Sequence, residues 1–398
     1  MTTIVKAAGA AEFLSLVPRM LGYVPTRSLV MIPFDGSRSV GAMRFDLPGD
    51  EPDAVDRVAA TVIGTVCRLP DADAVAAITF TDAAFGEENR MPHTGLLRAL
   101  ERRADACGLR LTDALCVAKD GWGSLLDAHC PAGGRPLADL DLAPATDVGA
   151  DRDQGSGAEL PEVDVAQSER VARALLSLDR AIEVLCGPEE PAAEASRPSG
   201  PQPPADADAD PGDDLASDDA DRIDPAALAA VCALDDLPTL FEDALGWKAD
   251  ALRAYDAATL VWCLSRPSLR DIALVQWSGT LTTGDEAFDA QLRWESGEEY
   301  PAHLAMRMWG EGEQPDPERL VRALQLSRFV AASAPRASRP GPLAMCAWLS
   351  WALGRSTHAD LYAGKACDIE PEHGLSEIVR SFVHAGHLPD WAFQRPAR

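Results

Sequence analysis

The stretch from Lys119 to Pro131 holds the densest group of side chains that could do chemistry. Its sequence, KDGWGSLLDAHCP, contributes Asp120, Trp122, Ser124, Asp127, His129 and Cys130. A hydroxyl or thiol near an imidazole can act as a nucleophile with its general base, and α/β proteins bind ligands where a strand ends. The stretch is therefore a candidate ligand loop. The structural alternative is a Gly-rich turn in which Trp122 caps the core. We favour this alternative because His129 and Cys130 are adjacent, point apart and lack a third partner.

A second candidate is the run YVPTRS, which places Tyr23, Arg27 and Ser28 directly before a predicted strand. The Arg27 guanidinium could bind an anion, although a single arginine at a strand entrance commonly pairs with a neighbouring carboxylate. Gly22 and Pro25 already account for the turn, because glycine ends helices and proline keeps the chain extended. We favour a hinge between a helix and a strand over a ligand site.

Four histidines near the C-terminal end could bind a metal together with a cysteine. They are His358, His373, His384 and His387, with Cys367 nearby in the sequence. Zinc sites usually add a cysteine pair or the motif H-E-x-x-H, and neither accompanies these residues. The sequence also lacks the phosphate-binding, dinucleotide-binding and serine-hydrolase glycine motifs. We therefore predict no metal site and no cofactor.

The elements that position the first two candidates follow an α/β pattern. A helix is predicted from about Ala8 to Leu21, and the strands SLVMIPF and SVGAMRFDLP form a hairpin around Asp35-Gly36. Pro33 should confine the first strand to an edge or end it. Helices over 53–68 and 94–107 then alternate with the strands AVAAITFTD and LRLTDALCVAKDG. This order predicts a mixed sheet with an opening hairpin and parallel neighbours beyond it.

The chain has a helical pattern throughout from Pro225 onward. Near its end, a run of small and turn-forming residues has the spacing of the second half of a tetratricopeptide unit: Gly354, Ala359, Ala363, Ala366 and Pro371. The first half of that pattern is different, because Ser350 occupies the position of its usual large aromatic residue. We predict one helical hairpin of this kind, which must pack on other helices because a single unit cannot bury its own face.

The charge of the chain is strongly acidic but unevenly distributed. The formal net charge is −27, and residues 139–164 and 188–224 carry −17 of it. Nucleic acid needs a clustered basic surface and anionic membranes need a basic segment, so neither is an expected partner. Residues 188–224 are rich in Pro, Ala and Asp and contain no aromatic residue. Such a composition buries too little apolar surface to fold, which predicts a disordered linker.

The nine cysteines are scattered and include no C-x-x-C pair. Most of them follow or precede Val, Leu or Ala, which is typical of buried free thiols in a reducing compartment. Glu12 interrupts the apolar N-terminal segment, which argues against a signal peptide. No uninterrupted apolar run is long enough to span a membrane. These features together predict a cytoplasmic protein.

Six further segments of the chain have a recognisable order and spacing: FLSLVPRMLGYVPTRSLVMI, VGAMRFDLP, LRLTDALCVAKDGWGSLL, CPAGGRPL, PLAMCAWLSWALGRSTHADLYAGKA and EPEHGLSEIV. Through them the chain resembles the actinobacterial family numbered four-one-nine-two among the domains of unknown function. Their order and spacing both agree, and they cover nearly the whole chain outside the linker. Relatives often have further cysteines before the Cys-Pro step, where this chain keeps Cys130 alone. The resemblance implies the fold and the type of host, but no activity.

We therefore expect an α/β domain over 1–145, a loop and connecting helix over 146–187, an acidic disordered linker over 188–224 and an α-helical domain over 225–396. The function that this organisation favours is a non-enzymatic interaction or scaffold protein whose helical half binds another protein. The alternative is an enzyme or small-molecule-binding protein with a site at the strand ends near Ser28 and Gly121–Cys130. The position of the largest concave pocket would separate the two.

Overall fold

The computed structural model describes residues 7–85, 91–143, 153–187 and 223–394. The chain divides into two units. The first, which we call the sheet unit, comprises Met1–Glu159 and Asp390–Arg398. The second, the helical unit, comprises Leu160–Pro389. This confirms the predicted fold class, an α/β region with a mixed sheet followed by an all-helical region.

The sheet unit is built on a six-stranded mixed sheet. Its strands are β1 Ser28–Asp35, β2 Arg38–Ser39, β3 Met43–Asp46, β4 Ala74–Phe80, β5 Arg110–Val117 and β6 Trp122–Ser124. The order is β2-β1-β4-β5-β6, and β3 pairs with β1 beside β2. Only β4 and β5 are parallel, whereas β1 runs antiparallel to all three of its neighbours. The opening hairpin and the parallel pair were both predicted.

The prediction that Pro33 confines β1 to an edge is wrong. Pro33 is paired with Val75 of β4, and its carbonyl accepts a hydrogen bond from the N–H of Val40 on the opposite side. The N and the carbonyl of one strand residue face the same neighbour. The missing N–H of Pro33 therefore faces the break between β2 and β3, where no ladder bond is needed.

Three helices cover the two faces of this sheet: α1 Ala10–Leu21, α2 Pro52–Cys67 and α3 Thr94–Ala106. Alternate residues of β1 divide between two cores. Val30 and Ile32 pack with Leu14 and Val17 of α1, while Leu29 and Met31 pack with apolar residues of α2 and α3. Gly22 ends α1 in the left-handed conformation, with φ of 83°. The predicted two-residue period of the strands therefore sorts side chains between the faces.

The helical unit follows as a series of packed helices. They are α4 Val165–Cys186, α5 Pro225–Ala233, α6 Leu237–Ala244, α7 Ala254–Leu264, α8 Pro267–Ser278, α9 Leu281–Glu295, α10 Ala302–Met308, α11 Pro317–Ser333, α12 Pro340–Ala352, α13 Ser356–Cys367 and α14 Gly374–His384. None of the described helices is both long and apolar enough to cross a membrane. The predicted linker, apart from residues 223 and 224, lies outside the described residues.

The helix α4 belongs to the helical unit by its contacts. It packs against α5, α7 and α11, and its buried residues Val171, Ala174, Leu178 and Ala181 recur every three or four positions. That spacing forms one stripe along a helix. The helices that α4 packs against therefore all come after residues 188–222 in the sequence.

Three tryptophans form the centre of the helical core. Trp277, Trp348 and Trp351 are fully buried, and each indole N–H donates to a backbone carbonyl, those of Phe241, Met308 and His387 respectively. A buried indole N–H usually has a hydrogen-bond partner. This confirms that Trp348 and Trp351 are core residues.

Candidate functional site

The topology brings the two sequence candidates to one end of the sheet. Ser28 begins β1 and lies opposite Phe80, the last residue of β4, while Val117 ends β5 and pairs with Trp122 at the start of β6. We call this end of the sheet the strand-end edge. Ser28 and Trp122 are three strand spacings apart, roughly 14 Å. The two candidates therefore share an edge without touching across the sheet.

At the first candidate, Ser28 is fully buried and its hydroxyl is already bonded. The Oγ donates to the carbonyl of Thr26 at 2.8 Å and accepts from Nε of Arg44 at 2.8 Å. Arg44 also pairs with Asp46 at 2.5 Å. Burial raises the pKa of the nearby Tyr23 phenol, and the Arg44 charge opposes this rise. The Ser28 hydroxyl thus fixes Arg44 rather than facing solvent.

Arg27 differs from its neighbours because its side chain is exposed and its φ is 44°. The expected ion pair with a carboxylate is not found among the described residues. The side chain of Gln154 bonds the preceding residue, accepting from the N–H and Oγ1 of Thr26 and donating to its carbonyl. Together with the left-handed Gly22, these bonds fix the YVPTRS segment as a connection between α1 and β1.

At the second candidate, the loop is shaped by close packing of side chains against its glycine backbone, not by a catalytic arrangement. Asp120 accepts a hydrogen bond from the N–H of Phe85 at 2.9 Å, and Trp122 is buried in the α1 core. The Phe85 ring lies against Gly123 and Gly134, where added Cβ atoms would be 3.3 and 3.1 Å from it. These contacts fit the Gly-rich turn with the indole packed in the core.

Ser124 and His129 are not brought together. The Ser124 hydroxyl donates to Oδ1 of Asp113 at 2.5 Å, whereas the His129 side chain is 95% exposed. Asp127 accepts from Arg135 at 2.5 Å, and the Arg135 guanidinium lies 5.4 Å from the Trp122 ring centre. The Ser124 hydroxyl therefore bonds a carboxylate of β5 rather than the imidazole of His129.

Sequence reasoning missed His93, which lies at the same strand-end edge. Its Nε2 is 3.0 Å from Oγ1 of Thr81, the residue after β4. His93 precedes α3 with φ of 55°, an uncommon conformation for a residue other than glycine. Burial lowers the pKa of His93, and the Asp50 charge opposes this shift. The only sequence signal was a histidine directly before a helix start.

The C-terminal histidines have separate environments. His373 is buried against the Ser376 hydroxyl at 3.0 Å, and His384 lies 3.4 Å from Asp360. His387 stacks on Trp351 with ring centres 5.8 Å apart. Among the described residues, no group of three or more His, Cys, Asp or Glu side chains could hold a metal ion.

The thiols are more accessible than the sequence suggested. Cys116, Cys263 and Cys346 are buried, but Cys67, Cys107, Cys186 and Cys232 are exposed. The prediction of buried free thiols therefore holds for three of the nine cysteines and fails for the four exposed ones. Three of the four exposed thiols lie at or just beyond the end of a helix, and Cys232 lies one residue before the end of α5. Beside Cys67 the apolar neighbour Val66 is buried, whereas Leu185 beside Cys186 is itself exposed.

Exposed apolar side chains are concentrated in the helical unit. Of the fifteen large apolar residues that are exposed in the described part of the chain, twelve belong to the helical unit. On α9, Leu281 and Leu292 are 39% and 51% exposed, and Phe288 between them is half-buried. Positions 281, 288 and 292 lie on one flank of a helix. We call these three residues the α9 stripe.

The fold defines a two-unit protein with an α/β sheet region and a helical region. The chain belongs to the family described as "Domain of unknown function (DUF4192)", whose model matches residues 11–390. Comparisons with curated proteins and with solved structures find no match.

Proposed function

We propose that the chain is a cytoplasmic, non-enzymatic protein-interaction module that binds its partner through the helical unit. The observation that supports this most is the one-sided packing of α9. Its small residues Gly284, Ala287 and Ala290 are buried where the helix packs on α6 and α8. The α9 stripe lies on another flank, outside this packing. An apolar flank with exposed leucines is typical of a helix-binding surface.

The charges beside the stripe specify the partner. Asp285 and Asp289 are exposed, and they follow Leu281 by four and eight positions, which places them along the edge of the stripe. A partner helix with leucines on one face and Lys or Arg beside them would bury the stripe and pair with both carboxylates. The proposed partner is therefore a basic amphipathic helix.

The α12–α13 hairpin supports the tetratricopeptide-like part of this proposal. Gly354 has φ of 75° in the turn between the two helices, and Ala359, Ala363 and Ala366 are fully buried. Small side chains at those positions let two helices approach closely. Helical hairpins of this kind commonly serve as rigid supports for protein-binding surfaces. The resemblance also leads us to expect an actinobacterial host.

Two synthetic helices would test the proposal. One carries leucines on one face flanked by lysines, and the other has the same leucines flanked by glutamates. Binding of each to the full chain is measured by fluorescence anisotropy. We expect the lysine helix to bind, with affinity that falls as salt is added, and the glutamate helix to bind at least tenfold more weakly.

The double variant Leu281→Ser/Leu292→Ser should lose lysine-helix binding. A matched control is Val165→Ser/Leu176→Ser, which removes two exposed apolar side chains of α4 and should bind as the wild type does. Affinity purification from the native host should then recover a protein that the control retains and the α9 variant loses. Equal binding of both helices, or unchanged binding by the α9 variant, would refute the proposal.

The second candidate function is small-molecule binding at the strand-end edge. It is favoured by Arg27 and His93, the two described residues other than glycine with positive φ, because backbone strain concentrates at functional sites. Arg27 would supply the charge for an anionic ligand. A thermal-shift titration with anionic metabolites should stabilise the wild type but not Arg27→Ala, while the exposed control Arg38→Ala should respond normally. An equal response of all three proteins would exclude the site.

A further inference from the structure

We infer that Cys67 and Cys107 are a disulfide-forming site, two exposed thiols of the sheet unit that an oxidant of the disulfide class can join reversibly. The inference is independent of the proposed interaction function. It rests on the topology of the sheet unit, on the shared core that holds the two helix ends together and on the exposure of both thiols.

The topology brings the two residues to one end of the sheet. Cys67 is the last residue of α2 and Cys107 is the C-cap of α3. The helices lead into β4 and β5, which are parallel neighbours with Ala74 opposite Arg110. Helices that precede parallel neighbours end at the same side of the sheet. The ends of α2 and α3 therefore lie side by side.

Contacts between the segments that follow α2 and α3 confirm this placement. The N–H of Arg110 donates to the carbonyl of Asp73 at 3.2 Å, and the two side chains lie 3.9 Å apart. One residue from Cys67, Val66 shares a buried cluster with Ala104 of α3. Both helix ends are thus held by the core beneath them, which limits their relative movement.

The two thiols are open to solvent and interact with each other. Both residues are exposed, and burial, followed by the interaction with the Cys107 side chain, raises the pKa of the Cys67 thiol. The raised pKa favours the protonated thiol of Cys67 over its thiolate at neutral pH. A disulfide between the two residues requires their sulfurs to reach a bond length of about 2.05 Å.

The reaction is thiol–disulfide exchange with an external disulfide such as oxidised glutathione. The thiolate of one cysteine attacks a glutathione sulfur and displaces one glutathione thiolate, leaving a mixed disulfide. The thiolate of the other cysteine then attacks the protein sulfur and displaces the second glutathione. The two cysteines lose two electrons and two protons, and one oxidised glutathione becomes two reduced molecules.

The test is oxidation of the folded full chain with oxidised glutathione, followed by alkylation, trypsin digestion without reduction and mass spectrometry. Trypsin releases Cys67 in the peptide VAATVIGTVCR and Cys107 in ADACGLR. We expect a linked pair of these peptides, two hydrogens lighter than their sum, that dithiothreitol separates. Most of the Cys67 peptide should be in the linked form.

Cys186 and Cys232 are the matched controls, because they are exposed but belong to the helical unit. Cys67→Ser should convert Cys107 to a glutathione mixed disulfide, and Cys186→Ser should leave the linked pair unchanged. The inference is overturned if wild-type Cys67 and Cys107 each carry a separate glutathione. It is equally overturned if either of them links to Cys186 or Cys232 instead.

Discussion

The residue Gly123, in β6, shows that the segment after β5 is shaped by close packing. A Cβ at this position would lie 2.5 Å from the Cys130 sulfur and 3.2 Å from the Met91 methyl. Glycine allows the loop to fold back over β6 so that Phe85 fits beneath it. The polar residues that were candidates for catalysis mostly stabilise this packing. Asp120, for example, accepts the hydrogen bond from the backbone N–H of Phe85.

Gly123→Ala should therefore destabilise the sheet unit by about 1–3 kcal/mol, the usual cost of overpacking a buried contact. The control is Gly133→Ala, after β6, where nothing lies within 4 Å of the added Cβ. Urea unfolding of each variant measures the free energy. Cys130→Ala added to Gly123→Ala should recover part of the loss, and equal stability of the two glycine variants would contradict the packing argument.

Cys116 makes a prediction about alkaline pH. Burial raises the pKa of its thiol from 9.0 to about 11. A raised folded-state pKa stabilises the protein below the unfolded value, and this contribution is lost as pH rises from about 9 through 11. Between pH 8 and pH 11, the wild type should lose about 2 kcal/mol more of its free energy of unfolding than Cys116→Ala.

The comparison isolates Cys116 because other groups that titrate at alkaline pH, including Tyr23 with its raised pKa, are present in both proteins. Urea unfolding at both pH values gives the difference. Parallel loss of stability in the wild type and the variant would show that the Cys116 thiol is not buried in its protonated form.

At the scale of elements, Arg319 joins three helices of the helical unit. From α11, it bonds both carboxylate oxygens of Glu242 on α6 at 2.6 and 2.5 Å, and it bonds the backbone carbonyl of Gln276 on α8 at 3.2 Å. The Gln276 amide donates in turn to Glu242 at 3.1 Å. A two-point arginine–carboxylate pair fixes orientation as well as distance.

Arg319→Met should destabilise the helical unit by about 2 kcal/mol at pH 7, because it leaves a partly buried carboxylate without its partner. Arg253→Met is the control, since that side chain is 84% exposed in its pair with Asp256 and its loss should cost little. Chemical unfolding followed by helical circular dichroism measures both.

The effect of Arg319→Met should shrink in acid. The Arg319 hydrogen bond lowers the pKa of Glu242 below its ordinary 4.5. A lowered folded-state pKa stabilises the protein above that value, and the contribution disappears as pH falls below about 4.5. An effect of the same size at pH 7 and pH 3 would mean that Arg319 acts by packing rather than by charge.

The elements with long periodic patterns were predictable from the sequence. The helices α1 to α3 and the strands β1 and β4 match their predicted spans closely, because one apolar period sets each of them, whereas β5 ends at Val117, before the predicted strand does. α10 has seven residues, too few for a periodic pattern to stand out. Pro33 was misjudged because its place in the sheet depends on pairing with Val75, 42 residues further along the chain. It also depends on the break between β2 and β3, and neither can be read from local propensity.

The candidate sites were less predictable than the elements. The Gly-rich turn and the buried Trp122 follow from local sequence, but the bonds of Ser28 to Arg44 and of Ser124 to Asp113 depend on strand register. The interaction between Cys67 and Cys107 joins residues from separate helices. Such contacts arise only from the folded arrangement, so a single sequence gave no local signal for them.

At the scale of the whole molecule, the central claim is that one sheet unit and one helical unit have separate cores and that α4 belongs to the second. The sequence alone suggested that α4 connects an α/β domain to a linker. Its contacts with α5, α7 and α11 instead make it part of the helical core, although residues 188–222 separate it from those helices in the chain.

The most direct test is hydrogen exchange on the full chain carrying Leu178→Asp, which buries a carboxylate at a fully buried position of α4. We expect faster exchange in α4, α5, α7 and α11, with the amides of β4 and β5 protected as in the wild type. The exposed control Leu176→Asp should change little. Faster exchange confined to α4, or loss of protection in β4 and β5, would contradict the division into two cores.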